Sequence, residues 1–204
     1  MLKRKPQRTK SADGVETPAA LRAEIARLES ELIEAERKIA ELEARADVDP
    51  LLDIFNRRGF ERELKRSLAY IARYGADAAL IYIDLDGFKA VNDRHGHAAG
   101  DALLKRVAQA LTGRVRASDI VARLGGDEFA VLLWNLNEAN ALARARDLET
   151  LIAAAAIGED DTPIQVGASV GVARLAPTMT AAQAIDAADR AMYARKHEKR
   201  AGAR

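Results

Sequence analysis

The chain has 204 residues, 49% of them apolar, which predicts one ordinary domain with a substantial core plus an appendage. Its 32 Lys and Arg residues balance its 31 Asp and Glu residues, which argues against a bulk nucleic-acid binder. Cysteine is absent, and this excludes disulfides, thiolate metal sites and cysteine nucleophiles. Because the sequence has neither a membrane-length apolar run nor the apolar core of a secretory signal, we expect a cytoplasmic protein without a stable nucleic-acid or membrane partner.

The first 48 residues divide into a tail and a helix. Residues 1–17 are basic and lack an apolar repeat, which predicts a disordered tail, with a short arm for nucleic acid or anionic lipid as the alternative. Residues 18–48 show a heptad pattern, in which apolar side chains recur at alternating steps of four and three. These side chains are Leu21, Ile25, Leu28, Leu32, Ala35, Ile39, Leu42 and Ala46. The pattern favours a parallel, two-stranded coiled coil that dimerises the protein, and a lone amphipathic helix lying on the main domain is the alternative.

The main domain is predicted at residues 49–200, followed by a short tail at residues 201–204. Asp49-Pro50 ends the first helix, because the residue before a proline resists helical geometry. Periodicity and turn signals predict helices at 59–74, 98–111 and 138–156, strands at 78–85, 119–124, 128–134 and 164–173, and a last helix capped at Thr180. From residue 78 the order is β-α-β-β-α-β and then a helix, which indicates an α+β, ferredoxin-like fold. Many unrelated functions use this fold, so the function has to be argued from a site.

Three acidic residues lie at predicted strand ends. Asp84 follows an apolar strand, and Asp127 and Glu128 sit at the Gly125-Gly126 turn of the predicted hairpin. If the first strand and the hairpin are neighbours in the sheet, these carboxylates converge and repel one another unless a hard cation such as Mg²⁺ neutralises them. Glycines at the turn let a phosphate approach the backbone. The alternative for any single acid is a turn residue or a helix cap.

The segment Arg123–Phe129 reads R-L-G-G-D-E-F and resembles the signature that names the GGDEF domains, the diguanylate cyclase family. Other blocks that resemble the family are Asn56-Arg57-Arg58 with Phe60, Asp84–Lys89, Asn92-Asp93, Gly96-His97, Gly100-Asp101, Ser169–Gly171 and Ala188–Tyr193. The resemblance covers about residues 49–200 and implies a nucleotidyl cyclase fold similar to a polymerase palm.

The resemblance also implies roles for individual residues. Asp84, Asp127 and the backbone carbonyl of Leu85 match the ligands of Mg²⁺, with Mn²⁺ as the alternative ion. The catalytic residues are then Asp127, Glu128 and Asp84, with Glu128 either orienting Lys89 and the metal site or helping deprotonation. Asn92 and Asp101 match the residues that read guanine. The complete set implied for GTP is Phe88, Lys89, Asn92, Asp101, Gly125, Gly126, Lys196 and Arg200.

The implied reaction condenses two GTP molecules into cyclic di-GMP and two pyrophosphates, across a homodimer joined by the coiled coil. Arg116 and Asp119 match the family's RxxD motif, which implies that the product binds there and inhibits the enzyme; a surface ion pair is the alternative. A catalytically inactive cyclic di-GMP receptor acting through that motif is the second functional hypothesis. A coiled-coil interaction module with a passive domain is the third.

Two places depart from the family pattern. Leu52 and Asp53 stand where the entry turn usually has threonine and glycine, which puts the geometry of that turn in question. Lys199 stands where the residue before Arg200 is often glycine, which weakens the phosphate role of Arg200.

Overall fold

The computed structural model describes residues 18–158 and 163–202, in two compact units that divide after Glu43. The predicted tail at residues 1–17 lies outside this range. Helix α1 spans Pro18–Ala46 and supplies the described residues of the first unit, so the helix expected from the heptad pattern is present. Its apolar residues Leu21, Ile25, Leu28 and Leu32 are between 44% and 59% exposed. Such a row is typical of a helix that pairs with another, and the coiled coil stays a prediction.

The second unit carries a five-stranded sheet and five helices among its described residues. In chain order its elements are β1 Phe55–Asn56, α2 Arg57–Tyr74, β2 Ala78–Asp86, α3 Phe88–His95, α4 His97–Thr112, β3 Ile120–Gly125, β4 Glu128–Trp134, α5 Glu138–Ala153, β5 Gly167–Arg174 and α6 Ala181–Gly202. No helix within these described segments is long and apolar enough to cross a membrane.

The sheet has the strand order β1-β3-β4-β2-β5. Strands β3, β4, β2 and β5 pair antiparallel in that order. This is the strand order of the ferredoxin-like unit, so the predicted fold is confirmed. Strand β1 adds a short parallel edge beside β3. Sequence periodicity missed β1 and α3 and began the last strand too early, because Ile164 forms only an isolated bridge with Ile157.

Side chains of β2 alternate between two apolar layers, as the period of a strand requires. Leu80 and Tyr82 pack in the layer of α2 and α6, whereas Ile81, Ile83 and Leu85 pack in the layer that contains the buried faces of α3, α4 and α5. Both faces of the strand are therefore buried, and only Asp84 and Asp86, at its end, are partly exposed. This arrangement puts the first polar residues of the strand at one edge of the core.

The entry turn closes around the carboxylate of Asp49. Its Oδ1 accepts hydrogen bonds from the backbone N–H groups of Leu51 and Leu52 at 2.9 and 3.0 Å, and its Oδ2 lies 3.1 Å from Nη1 of Arg123. Asp53 has φ of 55°, in the left-handed region that favours glycine. The turn therefore forms with aspartate in the family's glycine position, at a cost in backbone strain.

Candidate active site at one end of the sheet

The three predicted acids come together where β2 ends and β4 begins. Asp84 and Glu128 are directly opposite each other in the antiparallel β2–β4 pair, so their side chains project from the same face of the sheet. The backbone N–H of Leu85 donates to the carbonyl of Asp127 at 3.1 Å, which places the turn residue beside the end of β2. The three acids are thus adjacent along the backbone, whereas the meeting of their side chains at one ion and their chemical roles remain predictions.

Glu128 is held by two side chains from the same layer. The carboxylate of Glu128 lies near the Tyr82 hydroxyl, and Nη2 of Arg57 lies 3.6 Å from its Oε2. Burial, followed by the negative charge of Glu128, raises the pKa of Tyr82 well above its usual value, so the hydroxyl remains a donor. Arg57 is itself anchored by Nε, which donates to the Leu124 carbonyl at 2.8 Å.

Sequence reasoning assigned no role to Tyr82. The available signal was its position two residues before Asp84, which puts both side chains on one face of the strand. A buried hydroxyl in an otherwise apolar strand needs a polar neighbour, and beyond the effect of burial, the carboxylate of Glu128 is near enough to raise the pKa of Tyr82.

Lys196, on α6, forms an ion pair with Asp84 across the edge of the sheet. Both side chains are mostly buried, at 20% and 16% exposure, so the pair is less screened than a surface contact. This places a cation beside the acids, where sequence reasoning expected one for the phosphates. The side chain of Arg200 lies outside the described part of the chain, so its phosphate role stays a prediction.

Lys199 has different partners. Its Nζ lies 2.9 Å from Oε1 of Glu149 and donates to the carbonyl of Ala168 at 2.6 Å. Arg195 also contacts Glu149, at 3.2 Å. The departure at position 199 therefore ties α6 to α5 and β5.

The two residues predicted to read guanine lie on neighbouring helices. Asn92 is on α3, and Asp101 is in the first turns of α4, directly after Gly100. A Cβ at Gly100 would lie 3.0 Å from Cγ of Asn92, closer still to its Oδ1, and 3.2 Å from Cζ of Phe88. Gly100 therefore makes room for Asn92 and Phe88 beside Asp101, while the side chains of Asp101 and Lys89 are exposed.

The glycine turn of the hairpin is fixed by Arg123. Its Nε and Nη2 donate to the Gly126 carbonyl at 3.0 and 2.7 Å, and its Nη1 reaches the entry-turn residue Asp49. Gly126 has φ of 25°, and a Cβ added there would meet nothing within 4 Å, so the turn surface is open. These contacts hold the turn in place beside the acids while leaving its surface accessible.

The residues at this edge fit magnesium as part of a shared site. Among the residues described by the structure, no group of three or more acidic or histidine side chains forms a complete metal cage. Mg²⁺ needs no such cage, since it commonly binds one or two carboxylates and completes its shell with water and substrate phosphates. Asp84, Asp127 and the Leu85 carbonyl are hard oxygen donors of the kind magnesium prefers, and Asp84 already pairs with a cation in Lys196.

The RxxD residues lie at the opposite end of the hairpin. The backbone N–H of Arg116 donates to Oδ2 of Asp119 at 2.9 Å, and that of Trp134 donates to Oδ1 at 3.1 Å. A cavity of about 420 Å³ opens here, with Arg114, Arg116 and Arg144 in its lining. The carboxylate of Asp119 thus shapes the loop, and the arginines give the cavity its charge.

Comparisons with known proteins agree with this geometry. The family described as "Diguanylate cyclase, GGDEF domain" matches residues 46–202. The diguanylate cyclase TpbB of Pseudomonas aeruginosa is 40% identical over 168 residues, which are 81% of this chain but only 38% of TpbB. The chain therefore spans well under half the length of this relative.

Two solved structures from Caulobacter crescentus have the same fold. A sensory box/GGDEF family protein superposes with a TM-score of 0.69 at 36% identity, covering 74% of this chain and 99% of that one. The coiled coil and GGDEF domain of DgcB, solved in complex with c-di-GMP, gives a TM-score of 0.73 at 25% identity and covers 88% of this chain and 95% of that one.

Proposed function

Because this chain belongs to the GGDEF family of diguanylate cyclases, we propose that it condenses two GTP molecules into cyclic di-GMP and two pyrophosphates in the cytoplasm. The observation that supports the proposal is the backbone adjacency of Asp84, Asp127 and Glu128 at the end of the sheet, beside an open glycine turn. The same end of β2 leads directly into α3, which carries the residues proposed to bind the nucleotide.

The nucleotide is recognised by helices α3 and α4. The carboxylate of Asp101 accepts from the N1 and amino donors of guanine and would repel the acceptor edge of adenine, and Asn92 adds a second polar contact. Phe88 and Asn92 lie one turn apart on α3 and both border Gly100. Lys89, Lys196 and Arg200 offset the negative charge of the triphosphate.

Asp84, Asp127 and the carbonyl of Leu85 hold magnesium, for which manganese is the alternative. When bound, the ion lowers the pKa of the attacking 3′-hydroxyl and offsets charge on the phosphorus oxygens. The glycines of the turn let the phosphates approach the backbone. Glu128, fixed by Tyr82 and Arg57, either orients the neighbouring charged groups or accepts the hydroxyl proton.

The reaction needs two domains, since one domain holds one GTP and the second GTP must supply the attacking hydroxyl. Helix α1 brings two domains together by pairing with α1 of a second copy along its exposed apolar row. Joining two half-sites in this way raises their effective concentration. The solved DgcB fragment likewise contains a coiled coil together with its GGDEF domain.

Cyclic di-GMP then binds at Arg116 and Asp119 and inhibits further synthesis. The arginines around that cavity suit the two phosphates of the product, and an arginine can also engage guanine O6 and N7. We expect Arg116→Ala to leave the initial rate unchanged and to relieve inhibition by added cyclic di-GMP. Unchanged inhibition in this variant would remove the feedback assignment.

Incubation of the purified protein with GTP and Mg²⁺, with chromatographic separation of the nucleotides, tests the catalytic proposal. We expect cyclic di-GMP from the wild type and none from Asp127→Ala. Asp186→Ala removes an exposed acid of α6 that pairs with Arg190, and this matched control should keep wild-type activity. Tight cyclic di-GMP binding without turnover would select the receptor hypothesis, and neither binding nor turnover would select the interaction module.

A further inference from the structure

Two aromatic side chains stand beside the Arg116 cavity, and we refer to Tyr70 and Trp134 as the aromatic wall. Tyr70 projects from α2 and is 52% exposed, and Trp134 is the last residue of β4. Their ring centroids are 5.6 Å apart with an interplanar angle of 88°, and Tyr74 packs behind Tyr70 at 4.6 Å. Packing into the core accounts for part of Trp134, but it does not account for the exposed ring of Tyr70.

The aromatic wall is continuous with the Arg116 cavity. Trp134 lines that cavity and also lines a second one of about 300 Å³, whose other lining residues include Tyr70 and Ser118. Ser118 directly precedes Asp119, and the Trp134 backbone N–H donates to the Asp119 carboxylate at 3.1 Å. The two cavities are therefore neighbours on either side of Trp134, and the aromatic wall borders the Arg116 cavity.

The charge of this cleft favours an anion with flat rings. Asp119 is the one acid among the described residues that line the cavity, against three arginines, and Asp147 lies 3.7 Å from Arg144, so the cleft keeps a net positive charge. Arg144 is held in place by Nη2, which donates to the Arg114 carbonyl at 2.6 Å. Cations beside an aromatic platform are the two features that bind single-stranded nucleotides, where phosphates pair with the cations and bases stack on the rings.

We propose that the aromatic wall is a base-stacking extension of the feedback site, on which a guanine of cyclic di-GMP stacks while its phosphates pair with Arg116 and Arg144. This inference rests on the feedback binding proposed above. It adds that the aromatic wall binds a guanine base of the product. A base can stack on Tyr70 because that ring is half exposed, and Trp134 lines the same cavity. The guanine then contributes affinity that the arginines alone do not supply.

Trp134 is the only tryptophan of the chain, so its fluorescence reports directly on this surface. We would excite nucleotide-free protein at a wavelength absorbed by tryptophan but not by guanine and titrate it with cyclic di-GMP. A stacked guanine should quench the emission. Isothermal titration calorimetry should show that Tyr70→Ala raises the Kd for cyclic di-GMP on the order of tenfold.

Two further variants sharpen the test. Tyr193→Ala removes a similarly exposed tyrosine of α6 that lines neither cavity, so its Kd should stay within about twofold of wild type. Trp134→Phe keeps an aromatic ring in place and should bind the product with the emission lost. Equal weakening by Tyr70→Ala and Tyr193→Ala would overturn the inference.

The readouts separate the failure of this inference from the failure of the proposed function. Calorimetric binding that leaves the Trp134 emission unchanged, with wild-type affinity in Tyr70→Ala, overturns the aromatic wall and keeps the feedback site. Absence of any calorimetric binding overturns both. The initial rate of cyclic di-GMP synthesis from GTP is measured separately and judges the catalytic proposal alone.

Discussion

Gly100→Ala is the sharpest test of how the nucleotide is recognised. The new Cβ would lie 3.0 Å from Cγ of Asn92 and closer still to its Oδ1, so the amide must retreat by more than about 1 Å to regain ordinary contact. Such a shift breaks a hydrogen bond to guanine and leaves its partner unsatisfied, which costs about 1–3 kcal/mol. The KM for GTP should therefore rise roughly 5- to 150-fold.

The fold should survive this change. Alanine is favoured over glycine inside a helix by up to about 1 kcal/mol, which offsets much of the strain that the new methyl group creates. We expect the melting temperature to stay within about 3 °C of wild type. The assay is the initial rate of pyrophosphate release against GTP concentration, at saturating Mg²⁺ and with the cyclic product removed as it forms.

A double-mutant cycle identifies the target of the clash. Asn92→Ala alone should raise the KM by a similar factor, and Gly100→Ala added to Asn92→Ala should raise it little further, because the amide it displaces is already gone. A folded Gly100→Ala variant with a wild-type KM would refute the claim that Asn92 reads the base. Full additivity of the two changes would show that Gly100 acts through another residue.

Three further predictions concern the frame and the charges of the site. Gly171→Ala should destabilise the domain by at least about 2 kcal/mol in a denaturant titration, because its Cβ would enter the backbone of α6; a wild-type midpoint would contradict this. Asp53→Gly should stabilise by up to about 1 kcal/mol, seen as a higher melting temperature, because φ of 55° suits glycine, and a lower one would show that the aspartate is needed there. Lys196→Met should tighten Mn²⁺ binding in the absence of nucleotide, measured by calorimetry, because Asp84 loses its competing cation, whereas the control Lys199→Met should not; equal behaviour of the two would refute the competition.

Local sequence signals predicted the elements whose stability is local. Thr180 and Gln183 form the reciprocal cap that their spacing indicated, with hydrogen bonds of 2.9 and 3.2 Å. Sequence periodicity did not predict helix α3, because this helix has eight residues and buries only Phe88 and Val91. Two buried positions are too few to show a helical period. Strand β1 was not predicted either, because it has only two residues and its partner β3 is distant in the sequence.

The candidate site likewise has parts that the sequence predicts and parts that depend on tertiary packing. The residue types of the motif predicted that Asp84 and the turn acids share one end of the sheet, since a strand order fixes which ends meet. The ion pair of Asp84 with Lys196 joins residues 112 positions apart, and it depends on how α6 packs on the sheet. In the sequence, Gly100 is only a residue with low helix propensity. The reason for a glycine there appears in the structure, where a larger residue on α4 would collide with Asn92 of α3.

The charges at the end of the sheet are partly paired within the protein. Asp84 faces Lys196, and Glu128 faces Arg57 and the Tyr82 hydroxyl, so two of the three acids have partners. In the proposed reaction, a magnesium–GTP complex would bring its own positive charge to Asp84 and its own negative charge to the lysine. Lys196 can then exchange the carboxylate for a phosphate without either group losing a counter-charge, and this exchange would couple metal binding to substrate binding at the same residue.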